Sequence, residues 1–191
     1  HGVETVDGKL RPLDIQKVID VHQNIPHQVK QKLVYISNST EVGTIYSKKE
    51  LQDLHQFCQE KNLFLFMDGA RLAHALTAET NDLTLEDVAK YTDAFYLGGT
   101  KNGALIGEAI VINKENLQKE FGFHLKQNLK FDKNIRLNLM QKGALIAKGR
   151  LLGIQFQELL KDYFYFDLAK HANQQSMKIK SACKEIGCEF L

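Results

Sequence analysis

Two glycine-rich segments, each following an apolar run, carry the residues best suited to chemistry. Asp68–Arg71 (DGAR) follows the run Leu63–Met67, and Gly98–Gly103 (GGTKNG) follows Asp93–Leu97. Both runs have the length of a strand and are apolar enough for burial on both faces. Because ligands in open α/β sheets bind beyond the carboxyl ends of the strands, this order predicts a carboxylate, a guanidinium and an amine in one crevice.

These side chains match what pyridoxal phosphate chemistry requires of a protein. A lysine that burial deprotonates, here Lys101, is a nucleophile able to form a Schiff base with a carbonyl. An aspartate beside a pyridine nitrogen, here Asp68, keeps that ring protonated and electron-accepting. Thr100 and the neighbouring glycines offer a hydroxyl and backbone N–H groups to a phosphate. Arg71 offers a planar pair of donors to a substrate carboxylate.

Each segment also has an ordinary structural interpretation. Asp68 can cap the helix of a strand-to-helix turn, and Lys101 alone is typical of a solvated loop lysine. The order Gly-Lys-Ser/Thr of a nucleotide-binding P-loop is absent, since Lys101 follows Thr100. Occurring together at consecutive strand ends, the two segments favour a functional site. His74, one turn after Arg71, is a candidate base for a substrate hydroxyl.

The elements that must position these residues alternate between strands and helices. Pro12 begins a predicted helix that extends to about His22, and Ser47 and Glu50 form a capping box for a helix ending near Lys61. The other predicted elements are a strand at Leu33–Ser37, a short helix after Arg71, a helix from Thr84 to Tyr91, a strand at Gly107–Ile112, a helix from about Glu115, helical structure from Gly143, and a helix from Asp167 to about Gly187. This order predicts an α/β fold, a mostly parallel sheet with helices on both faces.

Composition sets broader limits on function. The chain has 191 residues, of which 43% are hydrophobic and 25% charged, which is typical of a soluble globular protein. A net charge of +2 gives no reason to expect nucleic acid or an anionic membrane as a partner, and no apolar run approaches the roughly 20 residues of a membrane span. The three cysteines predict reduced thiols in the cytoplasm, and the histidines show no spacing that predicts a metal site.

The motifs together resemble a known enzyme family. Phe66–Leu72 (FMDGARL) followed by Gly99–Gly103 (GTKNG) resembles the low-specificity L-threonine aldolases, which belong to the β-eliminating lyase group of fold-type I pyridoxal phosphate enzymes. Tyr35–Tyr46 (YISNSTEVGTIY) and Gly143–Arg150 (GALIAKGR) extend the resemblance over nearly the whole chain.

The resemblance implies an activity and specific residue roles. It implies cleavage of threonine or allo-threonine to glycine and an aldehyde by a homodimer or homotetramer that uses pyridoxal phosphate. Lys101 would form the Schiff base, Asp68 would pair with the pyridine nitrogen, Arg71 would hold the substrate carboxylate, and Asn38 would contact the cofactor ring. Two alternatives stay open, namely another fold-type I amino acid lyase and a non-catalytic fragment of such an enzyme.

The resemblance also implies a domain organisation. Residues 1–160 would be the cofactor-binding large domain, and residues 161–191 the beginning of a small C-terminal domain. The family pattern would place a phosphate loop and a ring-stacking histidine before His1, and more of the small domain after Leu191. Asn128–Met140 would be an insertion.

Overall fold

The computed structural model describes residues 1–22, 27–113 and 136–190. The strands are β1 (Leu33–Ser37), β2 (Phe64–Asp68), β3 (Ala94–Leu97) and β4 (Ala109–Ile112). The helices whose two ends both lie within the described residues are α1 (Pro12–Val21), α2 (Lys48–Lys61), α3 (Leu72–Leu76), α4 (Leu85–Tyr91), α5 (Arg150–Leu160) and α6 (Phe164–Glu185), with a 3-10 turn at Lys161–Tyr163 between the last two. Residues 136–141 are also helical. The predicted strands and the predicted helices before residue 113 are confirmed to within a few residues.

The described strands form one sheet in the order β1-β2-β3-β4. The first three strands are parallel, with Ser37 paired to Asp68 and Phe66 paired to Ala94. β4 is antiparallel to β3. The connection between them, residues 98–108, contains no helix and is shorter than the dozen or so residues that a parallel crossover needs. The prediction of a mostly parallel sheet is therefore confirmed, with an antiparallel strand at one edge.

The sheet buries one face more completely than the other. Alternate side chains of β1 to β3 form the core together with residues of α2 and α4; on the strands these are Val34, Ile36, Leu65, Met67, Phe95 and Leu97. The opposite face leaves Leu33 53%, Tyr35 52% and Ile110 67% exposed. The helices of the described ranges thus cover one face, which differs from the expected burial of both faces.

The C-terminal helices differ from the prediction at their starts. Helix was expected from Gly143, but α5 begins at Arg150. Gly143 (φ 69°) and Lys148 (φ 62°) adopt left-handed backbone, which a right-handed helix cannot contain. The helix expected from Glu115 and most of the expected insertion at Asn128–Met140 lie outside the described residues.

Helix α6 packs on the core formed by the rest of the chain. Tyr165 and Ala169 belong to the same hydrophobic cluster as the sheet residues. The Tyr165 hydroxyl donates to the Gly98 carbonyl at 2.7 Å, and the Asn102 side chain donates to the Tyr165 carbonyl at 2.7 Å. A domain boundary at residue 161 stays a prediction. Within the described part of the chain, no helix combines the length and the apolar character needed to cross a membrane.

Candidate active site

The two glycine-rich segments lie side by side at one end of the sheet. β2 ends at Asp68, and its parallel neighbour β3 ends at Leu97. The Gly98 N–H donates to the Gly69 carbonyl at 2.9 Å. A Cβ atom on Gly69 would lie 1.8 Å from the Tyr96 carbonyl oxygen, and one on Gly98 would lie 2.2 Å from the Ala70 carbonyl oxygen. Glycine is therefore required at both positions for the two chain segments to approach this closely.

Asp68 is half-buried, and its carboxylate accepts hydrogen bonds from neighbouring groups. Its Oδ1 atom accepts from the Ala70 N–H at 2.9 Å, and its Oδ2 atom accepts from the Tyr35 hydroxyl. Tyr96 also lies close enough to this carboxylate to lower its pKa. Burial acts to raise the Asp68 pKa, but these hydrogen bonds and the positive charge of Lys101 outweigh it and leave the pKa below its ordinary value. Asp68 is therefore a carboxylate at neutral pH.

The two tyrosines beside Asp68 are held in their protonated forms. The hydrogen bond to Asp68, together with burial, raises the pKa of Tyr35 to about 12. Burial, followed by the interaction with Asp68, raises the pKa of Tyr96 well above its ordinary value. Both phenols therefore carry their protons throughout the physiological range, and the Tyr35 hydroxyl donates to the carboxylate.

Lys101 lies in the turn after β3, on a loop that two hydrogen bonds hold in place. Asn102 next to it is 5% exposed and donates to the Tyr165 carbonyl. The Gly99 N–H donates to Glu108 Oε2 at 2.5 Å. Lys101 lies near enough to Asp68 for its charge to lower the pKa of that carboxyl. Its own side chain is exposed, so the described residues do not form the water-poor surroundings expected for it.

Thr100 and Asn38, the other predicted cofactor contacts, have different surroundings. The Thr100 hydroxyl is exposed and lies 3.4 Å from Glu108 Oε1, the carboxylate that also accepts from Gly99. Asn38 is fully buried, donates its backbone N–H to the Asp68 carbonyl at 3.0 Å and accepts from the Tyr46 N–H at 3.2 Å. Its Nδ2 atom has no hydrogen-bond partner among the described residues. Cofactor contact by these two residues stays a prediction.

Arg71 and His74 lie at the start of α3, next to the Asp68 segment. One guanidinium nitrogen of Arg71 lies 3.7 Å from the Glu41 carboxylate, in a loose ion pair whose side chains are 41% and 81% exposed. His74 is half-buried, and its Nδ1 atom has no hydrogen-bond partner within the described ranges. Burial and the charge of Arg71 lower the His74 pKa, which favours the neutral imidazole.

The ring end of pyridoxal phosphate fits these residues. A carboxylate offers about four acceptor positions. The Ala70 N–H and the Tyr35 hydroxyl take two of them, so acceptor positions remain for a protonated pyridine nitrogen. The buried, unpartnered Nδ2 of Asn38 is a further donor close in sequence to β1's end.

Four polar residues of this site were not predicted from the sequence. Glu41, Glu108, Tyr35 and Tyr96 approach the predicted residues only through strand pairing and loop packing. One signal was present for the tyrosines: each alternates with buried apolar residues along its strand, so each must occupy the less buried face. The strand register that brings both to Asp68 is not visible in the sequence.

Comparison with known proteins gives consistent matches over the chain. A family model described as Beta-eliminating lyase matches residues 2–188. A low specificity L-threonine aldolase from a Pseudomonas sp. is 34% identical over 188 residues, covering 96% of this chain and 49% of the relative. The one from Pseudomonas aeruginosa is 33% identical over 174 residues, covering 90% of this chain and 45% of the relative.

A solved structure agrees with these sequence matches. The structure of Leishmania major threonine aldolase superposes with a TM-score of 0.86 at 44% identity, covering 98% of this chain and 50% of that one. The mixed sheet with flanking helices is therefore that of a threonine aldolase fold. The chain spans about half the length of the curated relatives it matches.

Proposed function

Because this chain belongs to the β-eliminating lyase family, we propose that it acts in the pyridoxal phosphate-dependent cleavage of threonine or allo-threonine to glycine and an aldehyde. The names of its relatives support this substrate class. The observation that carries the proposal is the ionised Asp68 carboxylate beside Lys101 at adjoining strand ends.

Four residues would hold the cofactor. Asp68 would accept a hydrogen bond from the protonated pyridine nitrogen, and Lys101 would provide the amine that bonds covalently to the cofactor. Asn38 and Thr100 would donate hydrogen bonds to the cofactor. When bound, pyridoxal phosphate supplies an aldehyde that captures amines and a ring that accepts the electrons of the broken Cα–Cβ bond. The negative charge of Asp68 favours the protonated ring, which is the stronger electron acceptor.

Two residues would act on the substrate. Arg71 would bind the amino acid carboxylate through its guanidinium, whose only ion pair within the described ranges is the loose one with Glu41. His74 would accept the proton of the β-hydroxyl, since its lowered pKa keeps the imidazole neutral and one ring nitrogen lacks a partner among the described residues. These roles orient the bond to be broken and remove the proton that its cleavage releases.

An activity assay with a matched cofactor measurement tests the proposal. We expect the chain with pyridoxal phosphate to release glycine from threonine, and not ammonia or pyruvate from serine or tyrosine. Release from serine or tyrosine instead would indicate another amino acid lyase. Lys101→Ala should abolish the visible absorbance of the bound cofactor, while Lys90→Ala, an exposed lysine of α4, should retain it. An unchanged absorbance in Lys101→Ala would refute the role of Lys101.

We further propose a cytoplasmic homodimer or homotetramer. All three cysteines are free thiols, which supports a reducing compartment. The exposed apolar side chains Leu33, Tyr35 and Ile110 support association of this sheet face with further polypeptide. We also propose residues 1–160 as the cofactor-binding domain and residues 161–191 as the beginning of a second domain, although α6 packs on the core of the first.

A further inference from the structure

The Asp68 carboxylate lies beside a row of aromatic rings that crosses three strands. Tyr35 of β1 stacks on Phe66 of β2, with ring centroids 5.6 Å apart and planes inclined by 16°. Phe66 in turn contacts Tyr96 of β3, with centroids 6.1 Å apart. Tyr35 pairs with Phe66 in the parallel register, and Asp68 lies two residues further along the same face of β2. The row thus presents two phenol hydroxyls to one carboxylate.

Packing alone does not account for this arrangement. Tyr35 is 52% exposed, so water could solvate its hydroxyl, yet the hydroxyl donates to Asp68 Oδ2. Tyr96, on the strand at the opposite side of β2, interacts with the same carboxylate and contacts the Phe66 ring. Hydrogen bonds to an ionised acceptor are stronger and geometrically better defined than those between neutral groups. The two phenols therefore act on the charge and the orientation of Asp68.

We propose that Tyr35 and Tyr96 are positioning residues that hold the Asp68 carboxylate ionised and oriented toward the pyridine nitrogen of the cofactor, an inference that rests on the proposed function. A carboxylate stabilised by two phenols is a weaker base, so the proton it shares with the ring stays on the ring nitrogen. The tyrosines would then tune the electron-accepting ring through Asp68 without contacting the substrate.

The first test uses the chain without cofactor. The carboxyl ¹³C signal of Asp68, assigned by its loss in Asp68→Asn, is followed by NMR as a function of pH. We expect Tyr35→Phe and Tyr96→Phe each to move the Asp68 pKa up toward its ordinary value. Tyr91→Phe is the matched control, because its hydroxyl accepts from Gln52 at 2.8 Å at the other end of β3. Unchanged titration in both tyrosine variants would overturn the inference.

The second test measures cofactor affinity with two ligands. We expect Tyr35→Phe and Tyr96→Phe to bind pyridoxal phosphate about tenfold more weakly than Tyr91→Phe, the effect of one hydrogen bond to a charged group. A deaza analogue, in which a C–H group replaces the ring nitrogen, should bind to Tyr35→Phe, Tyr96→Phe and Tyr91→Phe with the same affinity. An equal loss for both ligands would show that the tyrosines serve only packing, which overturns the inference.

The two tests separate the inference from the proposed function. If the parent chain binds neither ligand, the proposed cofactor role of this chain fails, and the carboxyl titration alone decides whether the phenols control Asp68. If the parent chain binds the cofactor and both readouts shift as expected, kcat for threonine should fall in the tyrosine variants while KM changes little. A merely structural loss would instead lower the thermal stability of the variants without moving the titration.

Discussion

Arg71 is the cation placed next to the Asp68 segment, and the carboxylate of Glu41 already faces it. The pair is long, at 3.7 Å, and the Glu41 side chain is 81% exposed, so its contribution is small. A substrate carboxylate would have to compete with Glu41 for the same guanidinium. The ion pair therefore weakens substrate binding if Arg71 has its proposed role.

Replacing Glu41 should reveal that competition. We expect Glu41→Gln to lower the KM for threonine by up to about fivefold at low salt, since exposed ion pairs contribute at most about 1 kcal/mol. The value of kcat should stay the same. Glu60→Gln, an exposed glutamate at the end of α2, is the control and should leave KM unchanged. A raised KM in Glu41→Gln would mean that Glu41 positions Arg71 instead of competing for it.

His74 links the stability of the chain to pH. Burial and the charge of Arg71 lower its pKa in the folded state, so the unfolded state binds the proton first as pH falls. The contribution of neutral His74 to the free energy of unfolding is complete above the unfolded-state pKa of about 6.5. It is lost as the pH falls from there through the lower pKa of the folded state.

Urea denaturation at several pH values checks this linkage. Between pH 7.5 and 5.5, we expect the free energy of unfolding of the parent chain to decrease more steeply than that of His74→Gln. His171→Gln removes an exposed histidine of α6 and should follow the parent chain. Parallel curves for the parent chain and His74→Gln would contradict the prediction.

The residues of the site were predictable from the sequence to different degrees. Asp68, Arg71 and Lys101 stand in motifs directly after strand-like runs, and the structure brings their segments together. Tyr35 and Tyr96 were not predictable, because their contact with Asp68 depends on the register of three strands. The roles of the predicted residues stay predictions.

At the scale of elements, the close approach of β2 and β3 depends on glycine. A Cβ on Gly98 would lie 2.2 Å from the carbonyl oxygen of Ala70, and that neighbour is backbone that cannot rotate away. Gly98→Ala must therefore separate the two segments that carry Asp68 and Lys101. We expect it to lower the free energy of unfolding by about 1–3 kcal/mol, in the range of overpacked cores.

A second glycine gives the matched control for this prediction. Gly153 lies in α5, and apart from its chain neighbours and the nearby backbone of its own helix, no heavy atom lies within 4 Å of where its Cβ would be. Gly153→Ala should raise the free energy of unfolding by roughly 0.5–1 kcal/mol, because alanine loses less backbone entropy in a helix. Urea denaturation measures the free energy of unfolding of both variants. The absorbance of the bound cofactor should weaken only in Gly98→Ala. Equal stability of the parent chain and Gly98→Ala would show that the strands tolerate separation.

Elements were predictable where their signals are local. Ser47 caps α2 through the predicted capping box, and Thr84 caps α4 through a box with Asp87 that was not predicted; each box satisfies backbone N–H groups within one turn. The late start of α5 was not predictable, because Lys148 is a non-glycine residue in left-handed backbone. The antiparallel direction of β4 follows from the short, helix-free connection that precedes it. The alternation of strands and helices in the sequence, which predicted a mostly parallel sheet, does not reveal this direction.

At the scale of the whole molecule, one face of the sheet is incompletely covered, and the relatives are about twice as long as this chain. Sheets with parallel strands are normally covered on both faces. Here Leu33, Tyr35 and Ile110 remain more than half exposed, and the chain spans about half the length of its curated relatives. The apolar strands predict that both sheet faces are buried, but the described residues cover only one of them. The sequence could not show this, because apolar content specifies burial without specifying which polypeptide provides it.

Cofactor binding should stabilise the whole molecule through linkage. A ligand that binds only the folded state at a hundredfold its Kd adds about 2.7 kcal/mol to the free energy of unfolding. For a chain of 191 residues this corresponds to a Tm increase of about 5–10 °C. We expect pyridoxal phosphate to produce that increase, and Lys101→Ala to reduce it at the same free concentration, because the covalent bond to the amine is lost.

Lys90→Ala distinguishes this effect from general reaction of the aldehyde with surface lysines. Lys90 is exposed on α4, beyond the opposite end of β3 from Lys101, so its variant should keep the full increase in Tm. Asp68→Asn should lose part of the increase, since an amide cannot balance the charge of a protonated ring. Equal increases in the parent chain, Lys101→Ala and Asp68→Asn would mean that the aldehyde binds elsewhere, because neither strand-end residue would then contribute to the affinity.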